Sequence, residues 1–421
     1  MATRKKSPSS DRTHAARKSV IVTFKPKDQR RNKSADKMEL LTQCVPRAGS
    51  LAIYDVSAAA EFSVGSPGLP PSMADNLVGY DVNLYDAPIV SLSLSDDEVK
   101  ALRGDPNVAM VEEDGLAYAL PMETLVFEGQ PSVKAETVPI GVSQIKAPTA
   151  WGCSRGKGIK VAVLDTGIDW THPDLASNVK GSVSFVPGET AMDGNSHGTH
   201  CAGIIGAAIN GAGVVGVAPE ASLYAVKVLA NSGSGNYSWI IAGINWCIQN
   251  KIRVISMSLG GASAPAALET MCNAAFNAGV LVIAAAGNEG PAMNTVGYPG
   301  RYKNVVAVSA IDSNNMIASF SSRGPQVEIS APGVQVLSTI PGGGYGVKSG
   351  TSMACPHVAG AAAVVWGAHR FASNVAIWNL LGATADNLGA PGWDALYGYG
   401  RVDVAQAAAA LVPAPAVALR P

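Results

Sequence analysis

Between residues 159 and 368 the chain alternates two kinds of apolar segment. Short runs at 159–165, 222–229, 253–259, 280–286 and 304–309 read as strands buried on both faces. Longer runs near 199–209, 236–249, 264–278 and 352–368 have the length of helices. Such alternation implies a doubly wound parallel sheet flanked by helices, an α/β architecture. The composition permits it: 47% of the 421 residues are hydrophobic and 15% charged, unlike a disordered chain. A formal net charge of −1 gives no electrostatic case for a nucleic-acid partner. No apolar run reaches the roughly 18 residues that would suggest a membrane span.

In open sheets of this kind, sites form at the carboxyl ends of the strands. The run GIKVAVLDTGIDWTHPDL (158–175) ends its strand on Asp165. DGNSHGTHCAG (193–203) places His197 just before a Gly-punctuated helix start. SGTSMACPHVAG (349–360) places Ser352 at or beside the first turn of a helix running from Met353 to Ala368. Unpaired N–H groups and the helix dipole favour an anion there. Each residue alone has a plainer reading, a helix cap for Ser352 or Asp165 and a core histidine for His197. Together they are the three parts of a nucleophilic triad.

These motifs, with SGSGNYSWIIAGINW, SMSLGG, AAAGNEG and TVGYPGRY, resemble the subtilisin-like serine proteases, the subtilases. The resemblance runs almost continuously from Val138 to Ala410. It implies a serine endopeptidase in which Ser352 attacks the scissile carbonyl, His197 carries the proton and Asp165 fixes the histidine tautomer. Asn288 in AAAGNEG corresponds to the family's oxyanion-hole asparagine, acting with the backbone N–H of Ser352. Gly233, Ser234 and Gly235, and opposite them Ser258, Leu259 and Gly260, resemble the edges that clamp an extended peptide substrate. Gly260, Gly287 and Gly297 would line a roomy S1 pocket with Glu289 at its rim, and Tyr237 and Ile240 would border S4. This implies broad specificity, with large apolar or aromatic P1 residues preferred and some tolerance of basic ones. The segment 291–294 is shorter than the corresponding family loop.

The resemblance also implies a structural Ca²⁺. Its ligands would be the side chains of Glu136, Asp174 and Asn210 and the carbonyls of Ala208, Ala212 and Val214. Glu136 stands where a glutamine is familiar. Two other classes of protein are weighed against the enzyme. A catalytically silent subtilase fold used for binding is disfavoured because all four catalytic positions are intact. A dinucleotide-binding protein is disfavoured because VAVLDTGID is not followed by GxGxxG.

The rest of the chain reads as accessory to that domain. Residues 1–18 look like a disordered basic tail, and 19–120 like a small α+β, ferredoxin-like propeptide domain that inhibits its own protease. Its expected elements are strands at 19–25, 87–95 and 107–114, and a helix opened by the capping box Ser95…Glu98. Residues 121–134 form a linker with the processing site, 135–411 the catalytic domain, and 412–421 a C-terminal tail. Ala117 to Leu120 would fill S4 to S1. Pro121 then makes the 120–121 bond a poor one to cut, which moves processing into 121–134, for instance after Leu125, Phe127 or Lys134. No signal-peptide core is visible near the start. The resemblance implies a secreted monomer, with a cytoplasmic enzyme as the alternative. Six cysteines show no metal spacing. Cys201 and Cys355 read as small buried hydrophobes. Cys247 and Cys272 fall on neighbouring helices, where spacing alone does not decide whether they pair.

Overall fold

The structure, a computed structural model, describes residues 17–25, 41–43, 45, 89–120 and 135–411, and the backbone of 123–125. The tails 1–16 and 412–421, most of 26–88, Pro121, Met122 and 126–134 lie outside the described residues. The first elements are β1 (Lys18–Phe24), β2 (Ile89–Leu94), α1 (Asp96–Gly104), β3 (Val108–Glu113), β4 (Leu116–Ala119) and β5 (Glu123–Leu125). Then come α2 (Ile140–Gln144), α3 (Ala147–Ala150), β6 (Lys160–Asp165), β7 (Val179–Ser184), α4 (His197–Gly206) and β8 (Ser222–Lys227). They are followed by β9 (Ser234–Asn236), α5 (Tyr237–Gln249), β10 (Val254–Met257), β11 (Leu259–Gly260), α6 (Ala266–Asn277) and β12 (Leu281–Ala285). The chain closes with β13 (Val306–Ile311), β14 (Val327–Pro332), β15 (Val336–Ile340), β16 (Gly344–Ser349), α7 (Thr351–Ala368), α8 (Asn374–Ala383) and α9 (Val404–Ala409).

Seven strands form the main sheet in the order β14-β13-β12-β10-β6-β8-β7, every neighbouring pair parallel. Along β6 the side chains alternate between two cores. Val161 and Val163 join the layer built on α7, and Ala162 and Leu164 join the layer built on α5 and α6. Burial on both faces is why the inner strands are dominated by apolar residues. For the same reason α7 carries no polar stripe: every residue from Thr351 to Trp366 is buried. The sheet is the doubly wound α/β arrangement that the alternation implies. Its two edge strands, β7 and β14, were not among the expected strands. β7 (VKGSVS) and β14 (VEISAP) are short and interrupted by Gly or ended by Pro, as edges tolerate. The single strand expected over 253–259 is two: β10 stops at Met257, and β11 belongs to another sheet.

The N-terminal unit is a three-stranded antiparallel sheet, β2-β1-β3, packed against α1. The capping box is formed: Glu98 N donates to Ser95 Oγ at 3.3 Å, and Ser95 N donates to Glu98 Oε2 at 2.8 Å. Two carboxylates at the end of β3 then reach the main domain. Glu112 accepts from Ala266 N (2.8 Å) and Ala267 N (3.0 Å) at the start of α6. Asp114 accepts from Ser238 N (2.9 Å) and Ser238 Oγ (2.6 Å) at the start of α5. Neither helix has a side-chain cap of its own, so these carboxylates supply the missing acceptors.

Candidate active site

Asp165 is the last residue of β6 and is fully buried. Its backbone carbonyl accepts from Val228 N (3.0 Å) and Leu229 N (3.1 Å), which fixes the strand end. His197 is the first residue of α4 rather than a residue ahead of it. Its Nδ1 lies 2.7 Å from Asp165 Oδ1 and 2.8 Å from Oδ2. An ionised carboxylate only accepts, so Nδ1 carries the proton and the free lone pair of a neutral ring is on Nε2. Nε2 is buried and has no hydrogen-bond partner among the described residues.

Ser352 lies in the first turn of α7, fully buried. Its Oγ donates to the Ser258 carbonyl at 3.2 Å and not to His197. Ser258 Oγ donates back to the Ser352 carbonyl at 2.8 Å. This use of Ser258 explains the break between β10 and β11. Cys201, one turn along α4, touches both halves of the constellation. Its Sγ is 3.9 Å from His197 Nδ1 and donates to the Ser352 carbonyl at 3.4 Å. Asn288 is anchored by its amide oxygen, which accepts from Thr351 N (3.0 Å) and Thr351 Oγ1 (2.8 Å). That orients the amide nitrogen, the donor end, away from Thr351.

The expected clamp edges both meet the chain's own β4. In a separate sheet of order β11-β4-β9, β4 pairs antiparallel on each side, with Ala119 opposite Leu259 and Ala117 opposite Gly235. Ala119 N also donates to Gly233 O at 2.8 Å. Ala117 is buried in the core cluster that contains Tyr237 and Ile240. Leu120, with Leu116 and Tyr118 of the same segment, forms one wall of a cavity of about 790 Å³ whose other walls include Gly260, Gly287, Glu289, Gly297 and Tyr298. Leu120 packs close to Gly260, where a Cβ would stand a tight 3.3 Å from Leu120 Cδ2 and 3.2 Å from the Tyr298 carbonyl. Beyond Leu120 the backbone continues as β5, paired antiparallel with β16, with Glu123 opposite Ser349.

The residues expected to hold a cation also meet. Glu136 Oε1 accepts from Asn210 N (2.7 Å) and Gly211 N (2.8 Å). Asp174 Oδ1 accepts from Asn210 Nδ2 (2.9 Å), and its Oδ2 accepts from Val214 N (2.9 Å) and the Tyr345 hydroxyl (3.0 Å). Thr137 bridges to Val214, which draws the Glu136 segment onto the loop. At Gly213, with φ of +71°, a Cβ would fall 2.1 Å from Asp174 Oδ2, so the loop closes around this carboxylate. Two carboxylates, an amide and loop carbonyls fit a hard, oxygen-loving cation. Asn210 turns its Nδ2 to Asp174, so binding through Oδ1 requires the amide to turn over.

Among the described cysteines, Cys153, Cys201, Cys247, Cys272 and Cys355 are free thiols, which answers the pairing question for Cys247 and Cys272. Burial pushes the Cys201 thiol well up, and the Cys355 thiol up to about 11. The sequence reading missed the capping carboxylates Glu112 and Asp114 and two buried charges beside the histidine turn, Asp193 and Lys348. The available signal was a charge placed within or beside the motifs themselves. Among the described residues, no helix is long and apolar enough to cross a membrane.

The profile of the subtilase family matches residues 156–400 of this chain. Subtilisin E of Bacillus subtilis (strain 168) is 50% identical over 321 residues, covering 75% of this chain and 79% of that protein. Subtilisin of Bacillus pumilus is 52% identical over 279 residues, covering 65% of this chain and all of that protein. An alkaline protease of Shouchella clausii is 49% identical over 318 residues, covering 75% of this chain and 78% of that protein.

Proposed function

Since this chain belongs to the subtilase family and is a serine endopeptidase, we propose that Ser352 is its nucleophile, His197 its base and Asp165 the group that orients the base. The observation that carries this assignment is the buried Asp165–His197 pair, 2.7 Å at its closest, beside the first turn of the helix that holds Ser352. With Nδ1–H held by Asp165, Nε2 takes the Ser352 proton as Oγ bonds to the scissile carbonyl carbon, and later returns it to the leaving amine. Asp165 stabilises the imidazolium between those steps. The developing oxyanion is met by the Asn288 amide and the Ser352 backbone N–H, preset by Thr351 and by the start of α7. With β4 in the cleft, Ser352 Oγ rests on the Ser258 carbonyl, and attack requires it to turn to Nε2 of His197.

We further propose that residues 19–120 are a propeptide that inhibits this protease, and that residues 135–411 are the catalytic domain. What supports this is β4 lying between β9 and β11 as an extended substrate would, with Ala117 against Tyr237 and Ile240 and Leu120 in the glycine-lined cavity. The breadth of that cavity favours large apolar or aromatic P1 residues, and Glu289 on its lining would admit basic ones. Self-processing then falls within 121–134, because Pro121 follows Leu120. The tails expected at 1–18 and 412–421 lie outside the described residues except for Arg17 and Lys18, and Lys18 begins β1. Secretion, and action as a monomer on protein substrates, follow from the same reading.

Calcium is part of this proposal. Glu136, Asp174 and Asn210, with the carbonyls of Ala208, Ala212 and Val214, would hold it and tie the start of the catalytic domain to the loop 208–214. When bound, the ion supplies charge that locks these segments and takes no part in proton transfer. Glu136 already reaches Asn210 while β4 occupies the cleft, so the uncut chain could complete this site. The whole reading is tested by kcat/KM on peptide nitroanilides varied at P1. Phe and Leu should lead, Lys should follow, and Glu should be poorest. A preference for Glu or Gly at P1 would remove the pocket assignment.

A further inference from the structure

Lys348 is a buried charge that the catalytic scheme does not use. It lies on β16, four residues before Ser352 and opposite Thr124 of β5, and is 4% exposed in the uncut chain. Its ammonium donates to Ser196 Oγ at 2.7 Å and to the Ser196 carbonyl at 3.2 Å. Among the described residues no carboxylate lies within ion-pair distance of it, so a buried cation is held on one serine. That serine immediately precedes His197 and has φ of +87°, a left-handed conformation that side chains other than Gly rarely adopt. It makes no side-chain cap for α4. From the opposite side its N–H donates to Asp193 Oδ1 at 3.0 Å. Asp193 is itself buried. It accepts also from Asn195 N, Thr166 Oγ1, Thr199 N and Thr199 Oγ1, each within 3.0 Å. Thr166 follows Asp165 directly, and Lys348 sits on the strand that leads into Ser352. The peptide ahead of His197 is therefore gripped between a carboxylate tied to the aspartate strand and an ammonium tied to the serine strand.

We propose that Lys348 is a positioning residue for His197: its ammonium holds Ser196 in the left-handed conformation that aims the imidazole between Asp165 and Ser352. This rests on His197 being the base. The charged and titratable groups facing Lys348 are Asp165 on β6, Asp193 on the turn, and His200 and Cys201 on α4 beside His197.

The experiment uses the full chain, matured by its own processing, with active sites counted by a phosphonyl fluoride and activity expressed per titrated site. The substrate is a peptide nitroanilide, which makes few contacts beyond the scissile bond. Lys348→Met should lower kcat about tenfold with KM within about twofold, since a small displacement of a catalytic group costs up to about 10²-fold. Lys348→Arg, which keeps charge and donors, should recover most of the lost kcat. Ser196→Ala removes one of the two acceptors and should lower kcat in the same direction by a smaller factor. It also carries the test if Lys348→Met fails to mature. A Lys348→Met enzyme with the wild-type kcat overturns the proposal, as does a Ser196→Ala enzyme that matches wild type when Lys348→Met cannot be obtained. Failure of His197 as the base is read separately, from activity retained in His197→Ala.

Discussion

Replacing Asp114 with Ala should loosen the propeptide from the protease by about thirtyfold. In the structure Asp114 accepts from Ser238 N (2.9 Å), Ser238 Oγ (2.6 Å), Asn236 Nδ2 (3.2 Å) and Ser19 Oγ (3.2 Å). Losing a helix-capping side chain costs about 1 kcal/mol, and a partly buried anion at a helix N-terminus adds up to ~2 kcal/mol. Water can replace part of this when the two units separate. Burial pushes the Asp114 pKa up, so desolvation offsets a further share. A net loss of about 2 kcal/mol corresponds to roughly thirtyfold in the dissociation constant. Glu112 serves a different helix and shares no partner with Asp114, so Glu112→Ala should add nearly independently. The assay follows peptidase activity appearing after the wild-type and variant chains process themselves, at several concentrations, with yields corrected by active-site titration. Asp114→Ala should shorten the inhibited phase and shift its concentration dependence upward by more than tenfold. A variant whose inhibited phase stays within threefold of wild type would refute the capping argument.

Three further outcomes are expected. Chelation by EDTA should lower the melting temperature and speed autolysis of the wild-type enzyme, and Asp174→Ala should be insensitive to added calcium; equal curves with and without EDTA would leave the 208–214 loop without a cation. Pro121→Ala should shift processing to the 120–121 bond, read by mass spectrometry of the released fragments, and an unchanged cleavage pattern would remove proline as the cause. Burial pushes His357 down to about 4. The unfolded chain therefore binds this proton first, so stability present above pH ~6.5 should fall by about 3 kcal/mol as pH drops toward 4. His357→Gln should flatten that part of the denaturation profile of the Ser352→Ala chain, and a slope identical to the parent would contradict the assignment.

Much of the fold was legible because burial writes itself into sequence. The strands β6, β8, β10, β12 and β13 are inside the sheet and so are mainly apolar, found to within a few residues. The edges β7 and β14 interleave Lys, Ser, Glu, Gly or Pro with their apolar residues and carried no such run. The turns around Asp165, His197 and Ser352 were legible because Gly-flanked polar residues interrupt those runs. What stayed hidden depends on partners distant in sequence. Asp114 and Ser238 are separated by 124 residues, and nothing local in VEED marks a cap for a helix so far away. Nothing local to Lys348 marks its ammonium as a partner of Ser196, 152 residues earlier. The contact of Ser352 Oγ with Ser258 likewise depends on how β10 ends, which periodicity does not encode.

The central claim is that one serine, Ser352, is made nucleophilic by the buried Asp165–His197 pair. The most direct measurement is stoichiometric labelling of the matured enzyme with a phosphonyl fluoride, followed by peptide mapping, beside the Ser352→Ala chain. The account predicts one adduct per active chain, on Ser352, with activity lost in step with labelling, and neither activity nor adduct in Ser352→Ala. An adduct on another residue, or peptidase activity surviving in Ser352→Ala, would contradict it.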